Sequence, residues 1–450
     1  MLGRIISDAV SVFPETDIAD MHGFYSEVIS LCSDIFRGEP PWKTVKRSGL
    51  YGKGEREISR LNAAKVLCDQ FADMTFGQQV DIIIGDKDKQ RFVDRVLQEN
   101  AFWDRMPQFF SRAYALGGGA VRVFAADGRI RLDYIGAESF IPVGWSGRGA
   151  DEGIFRSIIR RNGKYYTLFE RHGHDEGENI VVSNRLFVSD RESEIGERIP
   201  VEQVYKGLGE EIVYPYKTSM FAYFHPSAAN NLLDNGCLGL SVFYNCMDTL
   251  KALDIAFDSF SREFILGRKR IIVPSSCIRT VVDPETGNVR RYFDADDEVY
   301  QALRCDDEKE LKIIDNTAEL RVDEHVSAIN ALLNILCFQT GLSSGTLSFG
   351  SASGVRTAAE IESQENRTQR TMQANRNIAA EFIEGIVRAI IAAGSLTGDT
   401  DGSEADIRIS FSKELDINVD SRIDRNIKLV EAGLRTEERA IQDIDEVFGS

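Results

Sequence analysis

The chain has 450 residues, of which 43% are hydrophobic and 28% are charged. This composition predicts a folded protein of two or three domains, and it excludes disordered and collagen-like chains. The formal net charge of −18 argues against a free DNA-binding protein, because such proteins grip phosphates with a basic face. Seven cysteines without a Cys-x-x-Cys pair predict reduced thiols, and no apolar run reaches the roughly 20 residues that span a bilayer.

Residues 1–110 are predicted to be mostly helical. Apolar residues recur every three or four positions in three segments, which is typical of amphipathic helices. These segments are Ile18–Phe36, Ser59–Met74 and Lys89–Ala115, and Pro107 marks the place where the last helix would break.

Residues 117–225 read as a β-rich block. Asp127-Gly128 and Asn162-Gly163 each separate two alternating segments, which is a strong signal for a hairpin. Gly117-Gly118-Gly119 precedes a strand and not a helix, so it is not a dinucleotide-binding fingerprint. Further strands are predicted at Ile154–Arg160, Tyr165–Arg171 and Asn179–Val188.

Two helices with apolar stripes are predicted on either side of a small acidic insert. The first helix is Ser241–Gly267 and the second is Glu324–Thr340. The insert between them, from Arg270 to about Leu320, has the turns and short alternating runs of a compact β structure.

Gly341–Val355 contains no charged residue and is rich in Gly and Ser, which predicts a mobile loop. The loop lacks the Gly-Lys-Ser/Thr ending of a phosphate-binding loop, so ATP binding there is not expected. A long helix is predicted from Thr357 to about Ala393, then a strand at Asp406–Phe411, then a helical tail with Gly433 between its two helices.

Few residues have the pattern of a catalytic or metal site. His172 and His174 could bind a metal, but a polar turn is the favoured interpretation. The acidic runs 294–298 and 306–310 lack the Gly and terminal Glu of a calcium loop, so a solvated face or a partner surface is favoured. No cofactor and no enzymatic activity are predicted.

Several passages resemble, in order, the portal proteins of tailed bacteriophages of the siphophage type. They are Asn62–Gly77, Ala113–Val123 with Phe140–Pro142, Phe221–Phe224 with Leu238–Tyr244, Leu250–Pro274 and Arg356–Thr371. The resemblance implies an α+β fold with a wing, a two-helix stem, a small β-containing clip, a long kinked helix with a tunnel loop, and a short helical crown.

The resemblance also divides the chain. It implies a wing at 1–240, stem helices at 241–267 and 321–340, a clip at 268–320, a tunnel loop at 341–356, a long helix and closing wing strand at 357–419, and a crown at 420–450.

Three sets of candidate site residues follow from the resemblance. The tunnel loop would face a DNA channel through Ser344, Gly345, Thr346, Leu347, Ser348, Phe349, Gly350 and Ser351. Subunit contacts would involve Glu360, Glu362, Glu365, Arg367, Arg370 and Arg376. The clip would dock a motor or adaptor through Asp294, Asp296, Asp297 and Glu298.

The implied function is that of a ring of about twelve copies at the head vertex, a closed cyclic assembly that conducts double-stranded DNA. Its implied partners are the terminase large subunit, a head-completion or adaptor protein, a scaffold protein and the major capsid protein. It would assemble in the host bacterial cytoplasm and end in the virion, without contact with a membrane. A minor capsid or adaptor protein without a channel is the alternative, and a carboxylate-metal nuclease using the acids of 294–310 is a more distant one.

Overall fold

The computed structural model describes residues 8–9, 11–14, 21–49, 52–77, 80–146, 149–177, 179–214, 217–232, 238–266, 271–272, 279–282, 289–292, 314–315, 319–349 and 358–411. Helices and strands are interspersed along the chain, which confirms the predicted α+β class. Within these ranges, no helix combines the length and the apolar character that crossing a bilayer would need.

Seven long helices lie in the described part of the chain. They are α1 Met21–Phe36, α2 Ala63–Phe76, α3 Lys87–Glu99, α4 Phe102–Leu116, α5 Met247–Leu266, α6 Val322–Thr340 and α7 Ala358–Thr397.

The first nine strands include a hairpin formed by the first two, a third strand outside it, and most of the strands of two larger sheets. They are β1 Thr44–Gly49, β2 Gly52–Glu57, β3 Val80–Ile84, β4 Gly119–Ala126, β5 Arg129–Gly136, β6 Phe140–Ser146, β7 Gly149–Arg161, β8 Lys164–His174 and β9 Ile180–Ser189. The remaining strands are shorter: β10 Glu197–Ile199, β11 Glu211–Tyr214, β12 Phe221–Phe224, β13 Ile271–Ile272, β14 Arg279–Val282, β15 Val289–Tyr292, β16 Ile314–Asp315 and β17 Ile407–Phe411.

The predicted helix at Lys89–Ala115 is in fact two helices, and its break does not lie at Pro107. The chain turns at Asn100 and Ala101, where Ala101 has a φ of 50°. The Asn100 side chain donates to the carbonyls of Val96 and Ile130, and its oxygen accepts from the amide of Leu132 at 3.0 Å. A side chain that binds the end of α3 and strand β5 together favours the break here.

The β-rich block is antiparallel throughout its described pairs. One sheet has the order β10-β9-β8-β7-β6 with β11 also on β9, and a second has the order β12-β4-β5. Both predicted hairpins are confirmed: Asp127-Gly128 and Asn162-Gly163 have positive φ at both positions, as a type I′ turn requires.

His172 and His174 lie within strand β8, so the interpretation as a polar turn is wrong. His172 is buried, and its Nε2 lies 2.6 Å from Glu170 Oε1. The same carboxylate accepts from Arg122 Nη1 at 3.0 Å, and Arg122 also binds Asp133 at 2.8 Å. These residues form a charge network between the two sheets, in which Asp133 is half-exposed and the other members are largely buried. No cluster of potential metal ligands occurs among the residues that the structure describes.

The second half of α7 lies in the core, and β17 closes the sheet edge beyond it. Phe382, Ile386 and Ile390 of α7 are buried in the largest hydrophobic cluster. Strand β17 pairs antiparallel with β3, Ile407 opposite Ile84, which confirms the predicted strand.

In the insert, the described residues form two short antiparallel pairs, β13 with β16 and β14 with β15. The acidic residues Asp294, Asp296, Asp297 and Glu298, and the predicted tail helices, lie outside the described residues.

Glu170 is expected to stabilise the fold through its charge. Burial raises its pKa, but the charge of Arg122 and the hydrogen bond with His172 outweigh burial and lower the pKa from 4.5 to about 2. Because the folded pKa is lowered, the stabilisation is complete above pH 4.5 and is lost as the pH falls to 2.

Glu170→Gln should therefore lower the free energy of unfolding at pH 7 by about 3 kcal/mol, and the difference from wild type should shrink towards pH 2. Urea unfolding followed by circular dichroism measures this. Asp133→Asn removes a half-exposed partner of the same arginine and should cost below about 1 kcal/mol. Equal effects of the two variants, or a difference independent of pH, would contradict the assignment.

Candidate functional site

Helices α5 and α6 form an antiparallel pair that is closed at both ends by polar contacts. At one end Thr249 Oγ1 donates to Gln339 Oε1 at 2.8 Å. At the other end Arg321 donates through Nε and Nη2 to both oxygens of Glu263, at 3.1 and 3.0 Å. The hydrogen bonds from Arg321 lower the pKa of Glu263 to about 2. Desolvation raises this pKa, but by less. We call α5 and α6 the helix pair.

Two carboxylates one turn apart fasten α5 to the segment before α2. Asp254 accepts from Trp42 Nε1 and from the amide of Leu61, both at 2.9 Å. Asp258 accepts from both terminal nitrogens of Arg56 at 2.7 Å. Burial raises the pKa of Asp254, whereas the hydrogen bonds from Arg56 lower the pKa of Asp258. Asp254 belongs to Leu250–Pro274, one of the passages that resemble portal proteins. These contacts give Asp254 a structural role in fastening α5.

Residues 341–349 have a defined conformation on α6, where composition alone predicted a mobile loop. Asn330 accepts from the amide of Phe349 at 2.7 Å and donates to its carbonyl at 3.0 Å. Asn334, one turn further along α6, accepts from the amide of Gly345 at 2.8 Å. Leu347 is 7% exposed and belongs to the main core. The loop therefore lies against the helix that precedes it.

Helix α7 holds the start of the same loop from the other side. Thr368 Oγ1 accepts from the amide of Ser343 at 2.9 Å, and Thr371 Oγ1 donates to the carbonyl of Gly341 at 2.8 Å. Gly341 has a φ of 80°, and a Cβ there would lie 2.8 Å from Thr371 Oγ1, so glycine is required. The loop is thus fixed between α6 and α7.

The eight predicted loop residues differ in their exposure. Ser344 and Ser348 are exposed, Gly345, Thr346 and Phe349 are half-buried, and Leu347 is buried. Gly350 and Ser351 lie outside the described residues. Among the six described loop residues, only Ser344 and Ser348 are exposed in the single chain.

The predicted arginines of α7 make contacts of different kinds. Arg367 donates to the carbonyl of Phe338 at 2.8 Å, and its guanidinium lies 4.8 Å from the centre of the Phe338 ring. Arg376 donates through Nε and Nη2 to the carbonyl of Met74, at the end of α2. Arg370 is exposed. Arg376 is therefore used within its own chain, as expected for a cation at a helix C-terminus.

The glutamates predicted to pair with these arginines lie on the first turns of α7. They are Glu360, Glu362 and Glu365, whose side chains fall outside the described residues.

Sequence analysis overlooked Asn330 and Asn334. A signal existed: no charged residue occurs from Val326 to Val355, and Asn330 and Asn334 are amide side chains within the mostly apolar run Ala328–Phe338. Their spacing of four places both on one face of α6.

Asn330→Ala should release the end of the loop. The substitution removes two hydrogen bonds, each worth about 1 kcal/mol, and hydrogen exchange of peptides covering 342–349 should become roughly 30-fold faster. Asn334→Ala removes one bond and should have a smaller effect.

Asn377→Ala, an exposed position on α7, is the matched control for the two loop variants and should leave exchange in 342–349 unchanged. Exchange that does not respond to Asn330→Ala would show that other contacts hold the loop.

Comparison with known proteins identifies the family of the chain. The family model described as "Phage portal protein, SPP1 Gp6-like" matches residues 55–447. Curated protein sequences include no significant match.

Solved structures with a similar chain include the neck of an empty gene transfer agent (GTA) particle computed with C6 symmetry. Its identity is 10%, its TM-score is 0.39, and the match covers 83% of this chain and 89% of that one. The neck of the native GTA particle computed with C12 symmetry has 9% identity, a TM-score of 0.40 and coverages of 85% and 88%. The virion of the native GTA particle has 12% identity, a TM-score of 0.36 and coverages of 84% and 88%.

The family match extends over most of the chain and includes the helix pair, the loop and α7. Members of this family are structural components of the capsid and carry no enzymatic activity, as the sequence predicted. The chain belongs to the phage portal protein family, SPP1 Gp6-like, and is a portal protein of the head vertex in a phage-type virion.

Proposed function

We propose that this portal protein forms a ring of about twelve copies, a closed cyclic assembly, whose bore conducts double-stranded DNA during packaging, retention and ejection. The observation that carries the proposal is the uncharged stretch from Val326 to Val355 in a chain of net charge −18. This stretch includes most of α6 and the loop fixed between α6 and α7. A neutral surface in an acidic protein is the property that a DNA conduit needs.

The charge of the channel wall affects how easily DNA slides through it. Each lysine or arginine that binds a phosphate adds affinity and salt dependence, and both would hold the DNA in place. Acidic walls repel the phosphates, so the duplex is kept centred and free to move. At the narrowest point, uncharged hydroxyl and backbone groups can touch the DNA without binding it.

Within the loop, we assign the channel-facing role to the exposed Ser344 and Ser348. Leu347 supports them from behind, since it is part of the core and is held there by the packing of α6. Gly345, Thr346 and Phe349 form the rest of the described surface. Gly350 and Ser351 remain candidates from the sequence alone.

The division of the chain that the family resemblance implies is part of the proposal. It comprises a wing at 1–240, stem helices at 241–267 and 321–340, a clip at 268–320, a tunnel loop at 341–356, a long helix with the closing strand at 357–419, and a crown at 420–450. The bounds of α5 at Met247–Leu266, α6 at Val322–Thr340 and α7 at Ala358–Thr397 support this division.

The proposed partners divide between the clip and the wing. The acidic residues of the clip, Asp294, Asp296, Asp297 and Glu298, would dock the terminase large subunit and later a head-completion protein. Scaffold and major capsid proteins would surround the wing. Arg367, Arg370 and the glutamates of α7 would contact a neighbouring copy, whereas Arg376 is better explained as a contact within the chain. Assembly would take place in the host cytoplasm.

Negative-stain imaging and solution mass test the proposed ring directly. We expect a ring of about a dozen copies with a central hole, because cyclic symmetry closes a head-to-tail interface. A compact dimer or tetramer without a hole would reject the channel and favour an adaptor role.

Ser348→Arg should impede DNA transit. The variant adds one phosphate contact per copy, so heads assembled with it should package at least about tenfold less DNA, with partial recovery at high salt. Ser348→Gln has similar length and no charge, and should package normally. The measurement is the fraction of DNA-filled heads. Equal packaging by the two variants would mean that Ser348 does not face the DNA.

A further inference from the structure

An apolar groove lies between α5 and the segment that Asp254 and Asp258 hold. It has a volume of about 380 Å³, and the residues that line it include Trp42, Val45, Ile58, Lys251 and Ile255. Ile255 is 49% exposed although it is a large aliphatic side chain. Trp42 is fixed in the groove wall by its hydrogen bond to Asp254. The groove is therefore a formed feature of the fold.

The other helix of the pair carries a projecting apolar surface. Phe338 is 66% exposed and Ile335 is 47% exposed, on the face of α6 that also contains Ser327 and Ala331. Arg367 packs against the Phe338 ring and binds the Phe338 carbonyl, so the base of this projection is rigid. Exposed apolar surface of this kind usually marks an interaction site, and aromatic residues dominate the energy of such sites.

Groove and projection overlap in height along the helix pair. Thr249 and Gln339 face each other, which aligns the two helices. At 1.5 Å per residue, the groove residues Lys251 and Ile255 lie about 3 and 9 Å below Thr249, and Phe338 and Ile335 lie about 2 and 6 Å below Gln339. In a ring whose axis is parallel to the helices, surfaces that meet must overlap in height.

Charge favours a second copy of this chain as the occupant. Two chains that each carry −18 repel one another, so they can approach closely only where the surfaces are uncharged or positive. The exposed face of α6 after His325 has no charge, and Lys251 supplies a positive charge at the groove. Duplex DNA is a poorer occupant, because its bases are stacked and offer an aromatic ring no partner.

We infer that Phe338 and Ile335 of one copy insert into the groove formed by Trp42, Val45 and Ile255 of the next copy. This inference rests on the proposed ring and specifies its contact. In the inferred contact each copy uses its projection towards one neighbour and its groove towards the other, which makes the interface heterologous. Head-to-tail contacts of this type close into rings.

Single substitutions should abolish assembly from either side of the contact. Phe338→Glu disables the projection and Ile255→Glu disables the groove, and each variant should be monomeric by light scattering where the wild type forms a ring. Both positions are exposed, so circular dichroism spectra should match the wild type. Val213→Glu, at a 53% exposed position of β11 outside the helix pair, is the control and should assemble fully.

A mixture of the two variants gives the sharper test. Phe338→Glu retains an intact groove and Ile255→Glu retains an intact projection, so a 1:1 mixture can make one productive contact per pair. We expect a complex with the mass of two chains and no larger species. Absence of this complex would overturn the heterologous contact.

The outcomes separate the inference from the proposed function. Full rings formed by Phe338→Glu or Ile255→Glu would overturn the inferred contact and leave the ring intact. A wild-type chain that forms no ring under the same conditions would overturn the ring and the contact together.

Discussion

The packing of α7 links the main hydrophobic core to the loop in the described part of the chain. The second half of α7 is buried, with Phe382 stacked on Phe109 at 5.3 Å and close to Phe224. Strands β4, β12 and β17 and helices α2 and α3 all contact it. The first half of the same helix holds the loop through Thr368 and Thr371. Because one continuous helix serves both purposes, the core of the β-rich half sets the position of the loop, and displacement of one requires displacement of the other.

Local patterns predicted most of the secondary structure, because periodicity and turn chemistry are properties of adjacent residues. The apolar stripes placed α5 and α6, and the Asp-Gly and Asn-Gly pairs placed both hairpins, where positive φ at two successive positions leaves few other residue choices. Strand β17 was predicted from its alternation alone. The pairing of β17 with β3 could not be predicted, because strands so far apart in sequence are brought together only by the tertiary fold.

The wrong predictions share a cause: each concerns a polar side chain whose hydrogen-bond network includes a distant part of the chain. Asn100 ends a helix by binding β5, and Asn330 orders a loop whose composition is that of a flexible linker. His172 is buried in a strand beside Glu170, and that carboxylate also binds Arg122 of the other sheet. The candidate site therefore remains a prediction from the family resemblance, while the exposure of its residues, and the internal use of Arg376, required the three-dimensional arrangement.

The ion pair between Glu263 and Arg321 has a consequence for how such proteins diversify. These two residues stand just before and just after the insert, so the chain leaves and re-enters the helix pair at almost one point. An inserted segment whose two ends lie close together imposes little strain on the helices that carry it. The entropic cost of closing such a segment changes only slowly with its length. The insert can thus be lengthened, shortened or exchanged in evolution while the scaffold keeps its geometry. Under the proposed docking role of the insert, a virus lineage can acquire a different packaging machine without redesigning the vertex on which it sits.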